Sequence, residues 1–240
     1  RSMPWELLEY TALSSPLLRP FNRVILLMRF GLKMRVLFDG DAHVHYAQIY
    51  VHSGWEGFED PFTGSFKGQI NGLCGAAERG HLYMITGLHT GHMGFAVELH
   101  DEAPSIDDSW EEVVEVSFTP TSDIVALTEW GGESRPLALQ QVDYRVRYSA
   151  SGMDQARQVD TRFDHEPILD RYLLQFWPAP PSADRLVKQT SAIAAYWHDW
   201  ARQLPPPPTP EEVAEAERRR ADPSPGTPTR PKPTAWSPPA

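Results

Sequence analysis

The sequence predicts an all-β protein: an antiparallel β-sandwich of seven to eight strands, followed by a C-terminal amphipathic helix and a disordered proline-rich tail. Two observations support this fold class. Short stretches of alternating apolar and polar residues, separated by Gly, Pro, Asp and Ser, recur from residue 36 to residue 177, which is typical of strands joined by turns. Of the 23 prolines, 15 come after Trp177, where they end the regular pattern.

The alternation places individual strands. In residues 142–148, it directs Tyr144 and Val146 to the core and Arg145 and Arg147 to solvent, because successive side chains of a strand point to opposite faces. Residues 44–51 are apolar on both faces and predict one central strand. The other predicted strands cover residues 82–86, 93–99, 113–118, 123–128 and 172–177.

The chain divides into four predicted segments: an N-terminal extension at 1–33, the sandwich domain at 34–181, a packing helix at 182–204 and a disordered tail at 205–240. Ser182 is the expected N-cap of the helix. The helix has one apolar stripe, which would pack on the sandwich or on a second chain, formed by Leu186, Thr190, Ile193, Trp197, Trp200 and Leu204.

The charge is uneven along the chain. With 22 basic and 32 acidic side chains, the formal net charge is −10. Residues 34–177 hold nine basic and 23 acidic residues, a net −14, whereas residues 1–33 carry +3 and residues 178–240 carry +1. Because phosphates are recognised by basic surfaces, we expect no direct binding to nucleic acid.

Cys74 is the only cysteine, which excludes an internal disulfide framework and a metal site built from several thiolates. The longest apolar run before the sandwich, residues 24–28, is too short to span a bilayer. We therefore expect a cytoplasmic protein that does not bind a membrane. The sequence contains no nucleophile elbow, phosphate-binding loop or zinc-protease motif, so we expect no enzymatic activity and no cofactor.

A concentrated acidic stretch is the first candidate site. Between Asp101 and Glu115 there are seven acidic residues and no basic one, with Trp110 in the middle. Such a face can attract a partner with a basic surface, with the tryptophan as an anchor. The residues that we expect to contact the partner are Asp107, Asp108, Trp110, Glu111 and Glu112.

Aromatic and histidine side chains give a second, alternative site. Trp55, His89, His92 and Trp130 could bind a small ligand or a carbohydrate, because aromatic faces stack on apolar ligand faces. A third alternative is a histidine-dependent metalloenzyme, since His89 and His92 have a loop-like spacing. We expect no metal, because glycine turns of this kind also carry histidines that bind nothing.

Several motifs occur together in an order that resembles the competence protein J family: Tyr46-Ala-Gln-Ile-Tyr50, the glycine-rich segment after it, Trp110 before an acidic strand, Tyr144-Arg-Val-Arg147, and Tyr172 to Pro178. The resemblance covers about residues 43–178. It implies a small cytosolic β-rich protein that inhibits a DNA-entry nuclease. Together with the acidic core, it leads us to expect a non-enzymatic protein-binding module.

Overall fold

The computed structural model describes residues 27–29, 32–54, 61–131, 133–207 and 209–221. These ranges contain the strands β1 (Leu27–Arg29), β2 (Leu32–Val44), β3 (Gln48–Ser53), β4 (Cys74–Gly75), β5 (His81–Ile85), β6 (Gly91–His100), β7 (Glu112–Phe118), β8 (Val125–Glu129), β9 (Ser134–Pro136), β10 (Tyr144–Ser151), β11 (Arg171–Pro178) and β12 (Arg185–Lys188). The helices are α1 (Pro61–Phe66), α2 (Met153–Val159), α3 (Ala192–Arg202) and α4 (Pro210–Ala221).

The strands form two sheets. The larger has seven strands in the order β1-β2-β6-β11-β10-β7-β12, and the smaller has five in the order β4-β5-β3-β8-β9. All pairings in the smaller sheet are antiparallel. In the larger sheet β11 pairs parallel to β6, with Tyr172 opposite Phe95. The fold is therefore mostly β, but one sheet is mixed, which corrects the prediction of a purely antiparallel sandwich.

One hydrophobic core contains side chains of both sheets. Ile49 and Met84 of the smaller sheet and Val97 and Leu174 of the larger sheet are fully buried in it. Tyr148 in β10 also donates a hydrogen bond of 3.0 Å to the carbonyl of Ile85 in β5. The hydroxyl group thus satisfies its bonding requirement across the interior.

The helix α3 packs on this core through its apolar stripe. Ile193, Trp197 and Trp200 contact the core cluster, and Ala194 and Ala201 are fully buried. Ser191 is the N-cap, because its side chain accepts a hydrogen bond of 3.3 Å from the amide of Ala194.

The C-terminal boundaries differ from the prediction. The predicted helix at 182–204 is shorter, because residues 185–188 form β12 on the edge of the larger sheet and Leu186 pairs there with Val114. Within the predicted tail, residues 210–221 form α4. Residues 222–240 lie outside the described residues. At the other end, β1 and the start of β2 fall inside the predicted extension at 1–33.

Residues 44–51 do not form one strand. The segment is split by a two-residue turn at Tyr46 and Ala47, which connects β2 to β3 and is flanked by the bridge between His45 and Gln48. Both turn residues have φ of 56°. The apolar composition favoured an uninterrupted strand, since glycine or asparagine normally marks such a turn.

Arg145 and Arg147 are buried, at 6% and 5% exposure, rather than solvent-facing. They do lie on the outer face of the larger sheet, as their alternation with Tyr144 and Val146 predicts. Two loops cover that face, because Arg147 donates to the carbonyl of Pro104 and Arg145 to the carbonyl of Ser182. Of the helices in the described ranges, none combines the length and the apolar character that a bilayer crossing requires.

Candidate functional site

The loop between β6 and β7, residues 101–111, carries most of the acidic stretch. Asp107 and Asp108 are exposed, and Trp110 is half-buried. Hydrogen bonds from Ser109 are the main reason that the pKa of Asp107 is lowered, and Lys188 lowers it further. The Asp107 carboxylate therefore presents negative charge to solvent at neutral pH.

Glu111 and Glu112 are neighbours in sequence but differ in burial. Glu111 is exposed and accepts a hydrogen bond of 2.8 Å from the amide of Gly152. Glu112 is fully buried, and its carboxylate accepts from the amides of Thr190 and Ser191 at 2.9 and 2.6 Å. Glu112 therefore holds the approach to α3 through Oε1 and does not belong to an exposed acidic face. Its Oε2 is buried and has no hydrogen-bond partner among the described residues.

The acidic loop is attached to the sheet beneath it by arginine. Arg147 donates from Nη1 to the carbonyls of Pro104 and Ser105 at 2.8 and 3.2 Å. Its Nε and Nη2 atoms bind one carboxylate oxygen of buried Glu115 at 3.1 and 2.9 Å. Arg185 binds the other oxygen at 3.1 Å. Sequence reasoning missed this network, although Glu115 and Arg147 lie opposite each other on β7 and β10.

The alternative site brings together three of its four predicted residues. His92 and Trp130 line a cavity of about 500 Å³ with His43, His45 and Arg135. His89 lies beside this group, because its ring centroid is 5.8 Å from that of His45. Trp55 lies outside the described residues.

Tyr46 is central to this aromatic region, and sequence reasoning did not select it. Its ring centroid is 4.1 Å from His45, 5.3 Å from His89 and 5.2 Å from Trp130. Tyr46 and Trp130 nevertheless remain 56% and 41% exposed. Exposed aromatic rings of this size are enriched in binding surfaces.

Hydrogen bonds to neighbouring side chains hold the three histidines of this region. Nδ1 of His45 and Nδ1 of His89 both contact the hydroxyl of Thr90, at 2.9 and 2.8 Å. His92 contacts Asp164 through Nδ1 at 2.9 Å. In each of the three rings Nε2 has no hydrogen-bond partner among the described residues, so it remains available to a ligand.

The described side chains that could act in catalysis or bind a metal are buried or too far from one another to do so. Burial raises the pKa of Cys74, which disfavours its thiolate form. Ser65 lies 3.2 Å from Nδ1 of His81, but both residues are buried, and burial lowers the pKa of His81 to about 4. Across the described ranges, no three His, Cys, Asp or Glu side chains are arranged to hold a metal ion.

No family model and no curated protein matches the chain. Two solved structures are similar to it. One is ComJ from Bacillus subtilis, an inhibitor of the DNA degrading activity of NucA, at 13% identity and a TM-score of 0.40, covering 61% of this chain and 98% of ComJ. The other is crocagin biosynthetic gene J, at 13% identity and a TM-score of 0.42, covering 61% of this chain and 99% of that one. Both similarities are weak and concern the fold, so no residue role is transferred from them.

Proposed function

We propose that the chain is a non-catalytic binding module that docks a protein partner with a positively charged surface through the acidic loop at 101–111. The most specific form of the proposal is an inhibitor of a DNA-degrading nuclease. The observation that carries it is the attachment of the loop to the sheet by Arg147, which leaves the carboxylates directed outward.

Apart from Glu111, whose carboxylate accepts from the amide of Gly152, the attachment uses the backbone of the loop and not its acidic side chains. Arg147 binds the carbonyls of Pro104 and Ser105, and Lys188 binds the carbonyl of Asp108 at 2.8 Å. The side chains of Asp101, Glu102, Asp107 and Asp108 are exposed. A loop that is already ordered before binding loses less conformational entropy when it meets its partner.

The charge of the loop fits a cationic partner. Clustered carboxylates attract a basic surface over several ångströms and accelerate the encounter, and salt screens this effect. Ile106 is 42% exposed in the same loop and Trp110 is half-buried beside it, so an apolar contact can follow the electrostatic one. A nuclease presents such a basic groove, because it must bind phosphates. The resemblance of the sequence to the competence protein J family points to the same class of partner.

Binding and inhibition kinetics test the proposal. We expect the chain to slow DNA degradation by NucA or another nuclease with a basic groove. The quadruple variant D101N/E102Q/D107N/D108N should associate about tenfold more slowly at low salt and show a weaker salt dependence, because the steering charge is removed.

The matched control removes four exposed acids elsewhere, in D39N/D41N/D123N/E211Q. Both variants lose four negative charges. A difference between them therefore reports the position of the charges and not the net charge of the protein. Equal slowing by the two variants would show that the loop is not the docking surface. If the chain bound the nuclease but did not slow DNA degradation, it would still be a binding module, and its role as an inhibitor would be refuted.

A further inference from the structure

The cavity beside Tyr46 lies in a cleft where the two sheets meet. Its volume of about 500 Å³ falls within the range of about 300 to 1,000 Å³ that is typical of small-molecule sites. The larger sheet contributes His43 and His92, which lie opposite each other on β2 and β6. The smaller sheet contributes Glu129 of β8 and Arg135 of β9. Both sheets therefore line the cleft.

The charges in this cleft are balanced against one another. Nη2 of Arg135 binds Oε1 of Glu129 at 2.9 Å, and its Nη1 binds Oε2 of Glu133 at 2.8 Å. Among the described residues that line the cavity, these three are the charged ones, and they sum to −1 when the histidines are neutral. An anionic ligand would have to compete with both carboxylates for the guanidinium group. The cleft therefore favours an uncharged ligand.

The histidines in and beside the cavity offer both donors and acceptors. His92 contacts the carboxylate of Asp164 through Nδ1 at 2.9 Å. Because a carboxylate only accepts, Nδ1 carries the hydrogen, and Nε2 of the neutral ring is an acceptor. His45 and His89 share the hydroxyl of Thr90 through their Nδ1 atoms, at 2.9 and 2.8 Å. That hydroxyl has one hydrogen, so it donates to one ring and accepts from the other, which leaves one Nε2 as a donor and the other as an acceptor.

An aromatic platform borders this polar lining. Trp130 lines the cavity and is 41% exposed, and Tyr46, whose ring centroid is 5.2 Å away, is 56% exposed. The loop that carries Trp130 is closed by a hydrogen bond of 3.1 Å from the amide of Glu129 to the carbonyl of Glu133. Sugars combine an apolar face of C–H groups, which stacks on an aromatic ring, with hydroxyl groups that both donate and accept. The cleft presents both kinds of surface.

We propose that the cleft binds a neutral oligosaccharide. One sugar ring stacks on Trp130, and its hydroxyl groups bond to Nε2 of His92 and to the carboxylate of Glu129. The next sugar ring contacts Tyr46. The site shares no residue with the acidic loop at 101–111, so the proposal is independent of the protein partner that docks there.

Four neutral oligosaccharides of different composition and linkage test the proposal: cellotetraose, xylotetraose, maltotetraose and tetra-N-acetylchitotetraose. Each is titrated against the full-length wild-type chain by isothermal titration calorimetry up to about 10 mM, which saturates a site with a Kd of about 1 mM. We expect saturable one-to-one binding of at least one of them. Tetragalacturonate, which carries four carboxylates, is the anionic comparison. It should bind about fivefold more weakly or less, because it competes with the two glutamates for the guanidinium group.

Substitutions locate the binding site. Trp130→Ala should weaken the binding about fivefold or more, because the stacking surface is lost. His92→Ala should weaken it about threefold or more, because an acceptor is lost. Both side chains are partly exposed, so the fold should tolerate their removal, and thermal unfolding of each variant checks this.

Phe163→Ala and His165→Ala are the controls. They remove the same kinds of side chain from an exposed pair that does not line the cavity, so they should leave the affinity unchanged. The proposal is overturned if none of the four sugars saturates the wild-type chain, or if tetragalacturonate binds as tightly as the best of them. It is also overturned if Trp130→Ala binds like the wild type, or if the controls weaken binding as much. If Trp130→Ala does not fold, His92→Ala decides the same question.

Discussion

Ala47 shows how a single residue stores conformational free energy at a hairpin turn. Its φ of 56° is a conformation that costs an alanine about 1 kcal/mol or more. Both of its backbone polar groups are hydrogen-bonded to the 86–89 loop, so the turn cannot relax into another type. The strain is therefore maintained by the loop that carries His89.

Ala47→Gly should raise the free energy of unfolding by about 0.5–1 kcal/mol. Glycine adopts positive φ without a Cβ clash, and this gain exceeds the entropy that it loses on folding. Urea denaturation at neutral pH measures the difference. Ala96→Gly is the control in an ordinary strand position of β6, where the same exchange should be destabilising. A loss of stability in Ala47→Gly would contradict the assignment of strain to this turn.

His198 makes stability depend on pH through one buried ring. Its Nδ1 accepts a hydrogen bond of 2.9 Å from the amide of Gly72, which requires the neutral form. Burial is the largest cause that lowers its pKa to about 4. The unfolded chain binds this proton near pH 6.5 and the folded chain only near 4, so the contribution is present above 6.5 and is lost as the pH falls towards 4.

His198→Asn should reduce the loss of stability between pH 7 and pH 5 by about 2 kcal/mol. The asparagine Oδ1 can replace Nδ1 as the acceptor but does not titrate. Urea titrations of both proteins at the two pH values give the comparison, and His165→Asn at an exposed position is the control. An unchanged difference between pH 7 and pH 5 would mean that His198 is not a source of the acid sensitivity. His81 keeps part of it in the variant, since burial also lowers its pKa to about 4.

At the scale of the element, α3 is fixed at its N-terminus and at its middle by residues distant in sequence. Asp154 accepts hydrogen bonds from the amides of Ala192 and Ile193 at 2.9 Å each, and Glu112 holds the two residues before the helix. Further along the helix, Gly72 lies so close that a Cβ atom there would be 1.9 Å from the carbonyl oxygen of Trp197. The position of α3 therefore depends on a glycine in another part of the chain.

Gly72→Ala should destabilise the protein by about 2–3 kcal/mol, because the added methyl group displaces α3 or strains its neighbours. Gly131→Ala is the contrasting variant. No atom lies within 4 Å of its Cβ position, and only its φ of +63° is unfavourable, at about 1 kcal/mol. Thermal and urea unfolding rank the two variants. If Gly131→Ala were the more damaging, α3 would not be packed as closely as described.

At the scale of the whole molecule, the alternation of apolar and polar residues was enough to predict a mostly β fold. It could not predict that β6 pairs parallel to β11, because the two strands are separated by some 70 residues and no local pattern encodes their partner. It placed Arg145 and Arg147 on the correct face but in solvent, since the loops that cover them are not visible in a strand pattern. The turn at Tyr46 and Ala47 was not predicted, because neither residue type signals a turn.

The candidate sites, like the fold, could be predicted from the sequence only in part. The acidic run identified the exposed Asp107 and Asp108, but a count of charges cannot separate them from Glu112, whose partners Thr190 and Ser191 are distant in the chain. His89, His92 and Trp130 were selected for their chemistry, and they lie near one another. Tyr46 at the tip of a hairpin joins His89 to Trp130. Its position depends on a backbone conformation that composition does not reveal.

The parallel pairing of β6 and β11 also bears on how the protein is made. The central position of the larger sheet stays empty during synthesis until residues 171–178 leave the ribosome, although β2 and β6 can already pair. Until then one side of β6 is an unpaired edge, which is the kind of surface that associates with other chains. Topologies closed by such distant contacts fold slowly. β6 therefore keeps an unpaired edge while the 70 residues that separate it from β11, which include the acidic loop, are synthesised.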